Sequence, residues 1–257
     1  MKNDLGIRQL KLIDELVQHF ETNIEQYERA LVSLQGYVNS SQKLKSLYHS
    51  VKYRIKDPSH LKDKLIRKAK EAKIKGKKFT INKNNLFTRI NDLVGYRIIH
   101  LHTKQFNEID TELKRIFKEE SWIIVKGPSA RTWDDESRDY FKHLGIAVEK
   151  SPNLYTSVHY IIKPNSTSKV TCEIQVRTLM EEVWGEVDHT INYPHKSDIF
   201  SVREQIKVLA RATSSCTRLV DSIFDSIEYE KTPKTSNNKT THLSIKKSKI
   251  VLSKRSK

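Results

Sequence analysis

The sequence predicts an α/β (α+β) protein in which helices flank a mixed β-sheet. Residues 170–177 alternate strictly between apolar and polar side chains, which is typical of a strand with one buried face. Apolar residues recur at helical spacing near both ends of the chain. Short apolar runs lie between these helical segments, so strands and helices are mixed along the chain and should pack as layers.

The helical spacing begins at residues 4–35, where Gly36 is the expected end. A second helix is predicted over about 39–50. Asp57 can cap a third helix that Pro58 opens and Gly76 ends. The same spacing predicts further helices over 104–120, 178–190 and 198–228.

Buried or half-buried strands are predicted over 93–101, 122–125, 145–149, 155–163 and 169–177. Residues 77–91 are expected to form a polar connector and residues 127–143 a charged surface loop. The expected organisation is an N-terminal helical segment, a central domain, a C-terminal helix and a basic, disordered tail, over residues 1–44, 45–195, 196–230 and 231–257.

The net charge of +16 is concentrated near the C-terminus. Residues 231–257 contain nine Lys or Arg and no acid, which leaves +7 on residues 1–230. A basic body favours a polyanionic ligand such as a nucleotide or RNA, although the tail alone is better explained as a solvated segment. Cys172 and Cys216 cannot build a disulfide framework or a zinc cluster. No apolar run has the length of a membrane span and no signal peptide is visible, so we expect a cytoplasmic protein with no membrane partner.

Cations cluster around the predicted third helix. Arg54 and Lys56 share one side of an extended segment, and Lys64 follows on the helix. Such a cluster suits a triphosphate, and an Arg plane can stack on a base. A solvated basic helix would explain this segment equally well.

Two acids stand among these cations. Asp92 precedes a buried strand, where a carboxylate near phosphates is a natural Mg²⁺ ligand, although it could also cap a turn. Glu173 shares the polar face of its strand with Gln175 and Arg177, and it could activate a hydroxyl or hold a second metal position.

Aromatic and imidazole groups share a further strand face. Tyr155 could stack on a base and His159 could bind phosphate, although a lone His on a strand is more often structural. Together with the acids and cations, they favour metal-dependent transfer of a phosphoryl-type group between nucleotides. The chain has no Gly-rich loop of the P-loop type.

Four segments, in this order, resemble the synthetase domain of RelA/SpoT proteins, and in particular a small stand-alone alarmone synthetase. They are Arg54-Ile55-Lys56-Asp57-Pro58, Asp92-Leu93-Val94-Gly95-Tyr96-Arg97-Ile98, Tyr155-Thr156-Ser157-Val158-His159 and Glu173-Ile174-Gln175-Val176-Arg177-Thr178. The resemblance implies a nucleotidyltransferase-like fold. It also implies transfer of the β,γ-pyrophosphate of ATP to the ribose 3′-OH of GDP or GTP, which makes (p)ppGpp, and often assembly into tetramers.

The resemblance also implies roles for single residues. Those expected to bind ATP, with the two Arg around adenine and the two Lys on phosphates, are Arg54, Arg97, Lys56 and Lys64. The expected catalytic and Mg²⁺-binding acids are Asp92 and Glu173. The acceptor site, with a Tyr stacked on guanine, is expected to contain Tyr155, His159, Gln175 and Arg177.

The chain departs from the family pattern beside this Tyr. The usual Asn-Gly-Tyr-Arg-Ser is replaced by Asn153-Leu154-Tyr155-Thr156-Ser157. An altered acceptor segment and a basic tail leave open a toxic relative that pyrophosphorylates the 3′ end of tRNA. A non-catalytic nucleotide- or RNA-binding protein on the same fold is a third reading, which the retention of both acids disfavours.

Overall fold

The computed structural model describes residues 5–151, 154–193 and 196–231. The helices in this part of the chain are α1 (Ile7–Thr22), α2 (Ile24–Ser40), α3 (Gln42–Leu47), α4 (Pro58–Ile74), α5 (Leu86–Arg89), α6 (Gln105–Glu119), α7 (Asp135–His143), α8 (Leu179–Asn192) and α9 (Phe200–Lys231). The strands are β1 (Ser50–Ile55), β2 (Val94–His100), β3 (Ile123–Thr132), β4 (Ala147–Lys150), β5 (Ser157–Lys163) and β6 (Cys172–Thr178). The expected basic tail beyond Lys231 lies outside the described residues.

The six strands form one sheet in the order β1-β2-β6-β5-β3-β4. The pairs β2–β6 and β3–β4 are parallel, and the other three neighbouring pairs are antiparallel. The predicted mixed sheet flanked by helices is therefore confirmed. Among the described helices, none combines the length and the apolar content that crossing a bilayer requires.

The two faces of the sheet differ in chemistry. Cys172, Ile174 and Val176 of β6 are almost fully buried in the main hydrophobic core, as their alternation predicted. Side chains of α1, α2, α4 and α6 pack into the same core. The opposite face of β6 presents Glu173 and Gln175, and this face positions the functional side chains.

The N-terminal helix ends earlier than the sequence predicted. Asn23 leaves the helical conformation (φ −108°, ψ 15°) and separates α1 from α2. Its side chain donates a hydrogen bond to the carbonyl oxygen of His19 at 2.7 Å, the local competition with the backbone that makes Asn a frequent helix terminator. Gly36 lies inside α2 and does not end it.

The prediction of a second helix over about 39–50 was also too long. There α2 ends at Ser40, α3 follows with Ser41 as its cap and ends at Leu47, and the chain then enters β1. β1 pairs with β2 from Ser50 to Ile55, so non-local hydrogen bonds override the local spacing. The predicted cap of the third helix is confirmed, since Asp57 accepts hydrogen bonds from the amides of Ser59 and His60.

Residues 127–143 were predicted to form a surface loop, and that prediction was wrong. β3 continues to Thr132 because it pairs with both β4 and β5. Helix α7 then begins, capped by the Asp134 carboxylate, which accepts a hydrogen bond from the Ser137 amide at 3.0 Å. The acids of its first turn, Asp135 and Glu136, favour a helix N-terminus.

A glycine in β3 lets two strands approach closely. Gly127 has φ +95°, and a Cβ atom there would lie 2.4 Å from the carbonyl oxygen of His159. The pairing of β3 with β5 shifts register at this point. Only glycine tolerates both the conformation and the contact, so Gly127 helps to place His159 of β5.

Candidate active site

The polar face of the sheet aligns the predicted site residues in rows. Arg54 of β1, Gly95 of β2 and Glu173 of β6 are paired across three strands. The next row along the same face contains four residues that are paired with one another across neighbouring strands: Lys52 of β1, Arg97 of β2, Gln175 of β6 and His159 of β5. Since residues two apart share a face, these side chains surround one surface.

Asp92 lies just before β2, between two lysines. Its carboxylate accepts hydrogen bonds from Lys64 Nζ at 2.6 Å and from Lys56 Nζ at 3.0 Å. Burial alone would raise the pKa of Asp92, but the two ammonium groups outweigh it and lower that pKa to about 2. Lys56 is only 4% exposed, and burial lowers its pKa in spite of Asp92. Asp92 is therefore an ionised, cation-bound carboxylate at neutral pH.

Glu173 is held from both sides on the polar face. His159 Nδ1 lies 3.1 Å from its Oε1, and Gln175 Nε2 donates to its Oε2 at 2.9 Å. Burial acts to raise the pKa of Glu173, but the hydrogen bond and attraction of His159 outweigh it, so the net pKa is lowered. The charge of Asp92 also acts on Glu173, in the raising direction. The two acids therefore interact within one electrostatic environment.

Two acids of α8, which the sequence reasoning had not singled out, neutralise the cations of this face. Glu186 accepts from Arg97 at 2.6 Å, and the buried Glu182 accepts from Arg177 Nε at 2.6 Å and pairs with Lys52 at 2.9 Å. Burial would raise the pKa of Glu182, but Arg177 and the other cations lower it to about 2. Positions 182 and 186 are one turn apart on a helix whose cap, Thr178, ends β6, and that spacing was the available signal.

Tyr155 lies just before β5, beside the predicted acceptor residues. Its hydroxyl donates to Gln175 Oε1 at 3.3 Å, and the guanidinium carbon of Arg177 lies 5.6 Å from its ring centroid. Its ring is tilted against Trp184 of α8 at 6.1 Å, and burial raises its pKa. One face of α9 supports this group, because Ile206 and Ala210 pack with Trp184.

The preceding residue adopts an unusual conformation. Leu154 has φ +54°, a left-handed conformation that favours glycine, and its side chain packs on the cluster formed by Trp184, Ile206 and Ala210. This is the position at which the family pattern has glycine. Here a leucine adopts this conformation, and its side chain anchors the segment to α8 and α9.

Gly185 of α8 leaves room for the side chain of Arg177. A Cβ atom at Gly185 would lie 2.7 Å from Arg177 Nη1. Arg177 is 5% exposed, so its guanidinium runs beside the backbone of α8 with little freedom to move. Gly185 thereby allows α8 to lie against the polar face.

The donor set fits a hard cation only in part. The described residues contain no group of three or more His, Cys, Asp or Glu side chains that could hold a metal ion. Carboxylate oxygens are available at Asp92 and Glu173, and Mg²⁺ in proteins is often bound by one or two carboxylates with substrate phosphates and water. A Mg²⁺ ion here would take its remaining ligands from nucleotide and water.

All ten predicted site residues thus fall into neighbouring groups. One surrounds Asp92 at the start of β2, and one surrounds Glu173 on β5 and β6. Arg97 and Arg177 are joined through Glu182. This arrangement can bind polyphosphate on cations and offers a half-buried, ionised carboxylate to a hydroxyl.

Comparisons with known proteins identify the family to which this region belongs. Residues 53–198 match the family model described as the region found in RelA / SpoT proteins. The chain is 25% identical over 207 residues to GTP pyrophosphokinase YwaC of Bacillus subtilis (strain 168), which covers 76% of this chain and 85% of that protein.

Solved structures show the same fold. The small alarmone synthetase 1 from Bacillus subtilis is 19% identical, with a TM-score of 0.58 over 82% of this chain and 98% of that one. A GTP pyrophosphokinase family protein from Streptococcus pneumoniae is 18% identical, with a TM-score of 0.55 over 83% of this chain and 94% of that one. Because the family region contains all ten predicted site residues and covers more than half of the sequence, the chain belongs to the RelA/SpoT family.

Proposed function

We propose that this protein is a GTP pyrophosphokinase, which transfers the β,γ-pyrophosphate of ATP to the ribose 3′-OH of a guanosine nucleotide and so makes (p)ppGpp. Family membership supports this proposal, as does the name of the relative whose length the chain covers to 85%. The observation that carries it is the pair of half-buried, interacting carboxylates of Asp92 and Glu173 within a cationic face.

The ATP side of the proposed site consists of the cations near β1 and α4. Lys56 and Lys64 would bind phosphates, since both ammonium groups already bind the same carboxylate and can exchange it for phosphate oxygens. Arg54 and Arg97 would enclose the adenine. Arg97 must first leave Glu186, so ATP binding competes with an internal ion pair.

Glu173 would act on the acceptor hydroxyl. Its lowered pKa keeps it ionised at neutral pH, and His159 and Gln175 orient its two oxygens. In the reaction the 3′-oxygen bonds to the β-phosphorus of ATP, the bond from that phosphorus to the α–β bridging oxygen breaks, and AMP leaves. The 3′-OH proton passes to Glu173.

Mg²⁺ is the metal that we propose for this site, held by Asp92 and Glu173. When bound it would neutralise charge on the phosphates. Asp92 would have to give up at least one of its lysines, which then follow the phosphates.

Tyr155, His159, Gln175 and Arg177 would form the acceptor site, with the Tyr155 ring stacked on guanine. The Leu154 and Thr156 replacements alter this side of the site. A tRNA 3′ end is the second candidate. Nucleotide substrates of this kind would be met in the cytoplasm, where we place the protein.

The test is a product assay with labelled ATP, Mg²⁺ and a panel of GMP, GDP, GTP and tRNA. We expect AMP and a 3′-pyrophosphorylated guanosine nucleotide. Label on tRNA alone would establish the second candidate, and a folded protein that labels none of these acceptors would overturn the proposal.

The Asp92→Asn variant tests the role of Asp92 and is compared with the same substitution at another Asp. It keeps the side-chain size but removes the charge that binds Mg²⁺, so we expect turnover to fall by about 100-fold or more. Asp14→Asn is the control, because Asp14 is an exposed carboxylate that pairs with Lys62 away from the polar face. Equal turnover of both variants would remove Asp92 from the site.

A further inference from the structure

A cavity of about 200 Å³ lies at the end of the sheet opposite to Asp92 and Glu173. Its walls come from the carboxyl ends of β2 and β6 and from helices α6, α7, α8 and α9. Thr178, which lines it, is about 16 Å from Glu173 along β6. None of the ten predicted site residues lines this cavity, so it is separate from the proposed active site.

One wall of the cavity is aromatic. Phe106 of α6 and Tyr140 and Phe141 of α7 line it. The ring centroids of Phe106 and Phe141 are 5.3 Å apart, and those of Tyr140 and Phe141 are 5.4 Å apart. Aromatic rings of this kind pack against other rings and attract cations to their faces.

Most carboxylates around the cavity are already satisfied within the chain. Three of them pair with cations: Asp225 with Lys104, and Asp134 and Glu136 with Arg218. Asp221 accepts hydrogen bonds from the amide and the hydroxyl of Thr103, at 2.6 and 2.7 Å. These four acids therefore need no further partner.

Glu181 of α8 differs from these acids. It is only 6% exposed, and its carboxyl group accepts one hydrogen bond, which the Thr156 amide donates to Oε2 at 3.2 Å. In the described part of the chain, no Lys or Arg nitrogen lies within ion-pair distance of this group. A buried carboxyl group that lines a cavity thus retains the capacity to accept from a ligand.

His100 of β2 adds a second acceptor. It is 3% exposed, and burial lowers its pKa to about 4, so its ring is neutral at physiological pH. Its Nδ1 lies 3.0 Å from the carbonyl oxygen of His102 and must donate, because a carbonyl only accepts. Nε2 of this cavity-lining residue is then an acceptor as well. Two buried acceptors beside aromatic rings favour a ligand that donates and is positively charged.

The size of the cavity limits the ligand. An apolar cavity of about 150 Å³ admits benzene, so this one can hold a single ring with a short polar arm. The exposed residues Lys104, Glu136 and Asp225 also line it, so it reaches the surface.

We propose that this cavity binds a small organic cation, with an ammonium or amidinium group beside Glu181 and an apolar ring against Phe106 and Phe141. The proposal goes beyond the enzymatic one and does not depend on it, since it uses none of the predicted site residues.

Benzamidine and benzamide are the matched probes, because they share a ring and a size and differ in charge. Isothermal titration calorimetry of the full chain at pH 8 should show one site for benzamidine, with a Kd of about 1 mM or lower. Benzamide should bind about tenfold more weakly or worse, because it brings no charge to the carboxylate.

Variants locate the site. Glu181→Gln keeps the size of the side chain and an acceptor for Thr156, so it should weaken benzamidine binding by about tenfold or more and leave benzamide unchanged. Glu25→Gln removes the same charge from an exposed position of α2 and should change neither affinity. Ser214→Leu enlarges an 8% exposed, cavity-lining residue of α9 and should abolish binding of both probes.

Proton release gives a second readout. Burial raises the pKa of Glu181 to about 7, while Arg177 acts to lower it and Asp134 to raise it. His100 and Asp221 line the same cavity, the first neutral and the second already hydrogen-bonded. An amidinium beside Glu181 lowers its pKa, so benzamidine should release up to about one proton per site at pH 6 and almost none at pH 8.5. Calorimetry in two buffers of different ionisation enthalpy measures this release, and benzamide should cause none.

Three results would overturn the proposal. The first is equal affinity for benzamidine and benzamide. The second is a folded Glu181→Gln variant that binds benzamidine as tightly as the unaltered protein does. The third is no binding of either probe at millimolar concentrations, which would mean that water alone fills the cavity. Thermal unfolding by circular dichroism confirms that each variant is folded.

Discussion

Asp92 and Glu173 keep their negative charges by different means. Asp92 is neutralised by two lysine ammonium groups, whereas Glu173 is stabilised by a histidine and an amide. Both arrangements offset the cost of burying a carboxylate, and both leave groups that substrate can displace. The chemistry of the site therefore rests on how individual side chains are paired.

Substitutions of Tyr155 test whether its aromatic ring binds the guanine of the acceptor nucleotide. Tyr155→Ala should raise the KM for the guanosine nucleotide by about tenfold or more, because a base stacked on an aromatic ring gains about 1–3 kcal/mol. The KM for ATP should stay close to that of the unaltered protein. Tyr155→Phe keeps the ring and loses the hydroxyl that donates to Gln175, so its kinetics should remain nearly normal. Equal losses for both nucleotides would contradict the assignment.

The buried carboxyl group of Glu181 should make the stability of the protein depend on pH. It is 6% exposed, it borders a cavity of about 200 Å³ below α9, and burial raises its pKa from 4.5 to about 7. Because the pKa is raised, the folded protein binds this proton more tightly than the unfolded chain does. The contribution of Glu181 to the free energy of unfolding is therefore fully present below pH 4.5 and is lost as the pH rises to about 7. Glu181→Gln should be more stable than the unaltered protein above this range, by at most ~3 kcal/mol.

The measurement is urea unfolding at several pH values between 4 and 8. The advantage of Glu181→Gln should grow across this window, while the amide still accepts the bond that Thr156 N donates at 3.2 Å. Glu25→Gln is the control, since Glu25 is an exposed carboxylate on α2. A stability difference independent of pH would show that the pKa of Glu181 is not raised in the folded protein.

Helix α8 is the element that closes the polar face. Thr178 caps it directly after β6, and Glu182 and Glu186 then bind cations of β1, β2 and β6. Gly185 lets the helix backbone lie beside Arg177. The position of α8 beside Arg177 therefore depends on the absence of a side chain at Gly185.

A pair of glycine substitutions tests this contact. Alanine is favoured over glycine within a helix by about 1 kcal/mol, and Gly36→Ala in α2 meets nothing within 4 Å, so it should stabilise the protein by about that amount. Gly185→Ala should instead destabilise it by about 1–3 kcal/mol, because the new methyl group displaces the Arg177 guanidinium. Both are measured by urea unfolding. Stabilisation by Gly185→Ala would mean that Arg177 moves freely.

At the scale of the whole molecule, the N-terminal helices belong to the same hydrophobic core as the sheet. Phe20 of α1 and Tyr27 of α2 are fully buried, and their rings lie 5.0 Å apart within a cluster that also contains β2 and β6 residues. The sheet of the synthetase region is therefore covered on its apolar face by a segment outside the family match.

Phe20→Ala should consequently destabilise the complete structure. Removing a buried Phe side chain costs about 3–5 kcal/mol, and we expect one cooperative transition at a lower Tm, seen alike by circular dichroism and by tryptophan fluorescence. Ile7→Ala changes an 86% exposed residue of the same helix and should leave the Tm unchanged. Two separate transitions would show that the N-terminal helices unfold on their own.

Sequence alone determined the fold class, the caps of α4, the buried face of β6 and the family. These follow from local rules: side chains alternate along a strand, Asp accepts from amides at a helix start, and short motifs keep their residue types. The same local rules select Asp92, Glu173 and the neighbouring cations as site residues. Acids that stand among cations in short motifs indicate a binding site before it is known how the chain folds.

Only the tertiary structure decided which elements meet. The strand at residues 50–55 and the extension of β3 to Thr132 depend on pairing partners far along the chain. The roles of Glu182 and Glu186 and the fit of Gly185 against Arg177 appear only once α8 is placed. The physical reason is that local spacing sets which face of an element is apolar, while non-local contacts set what that face touches.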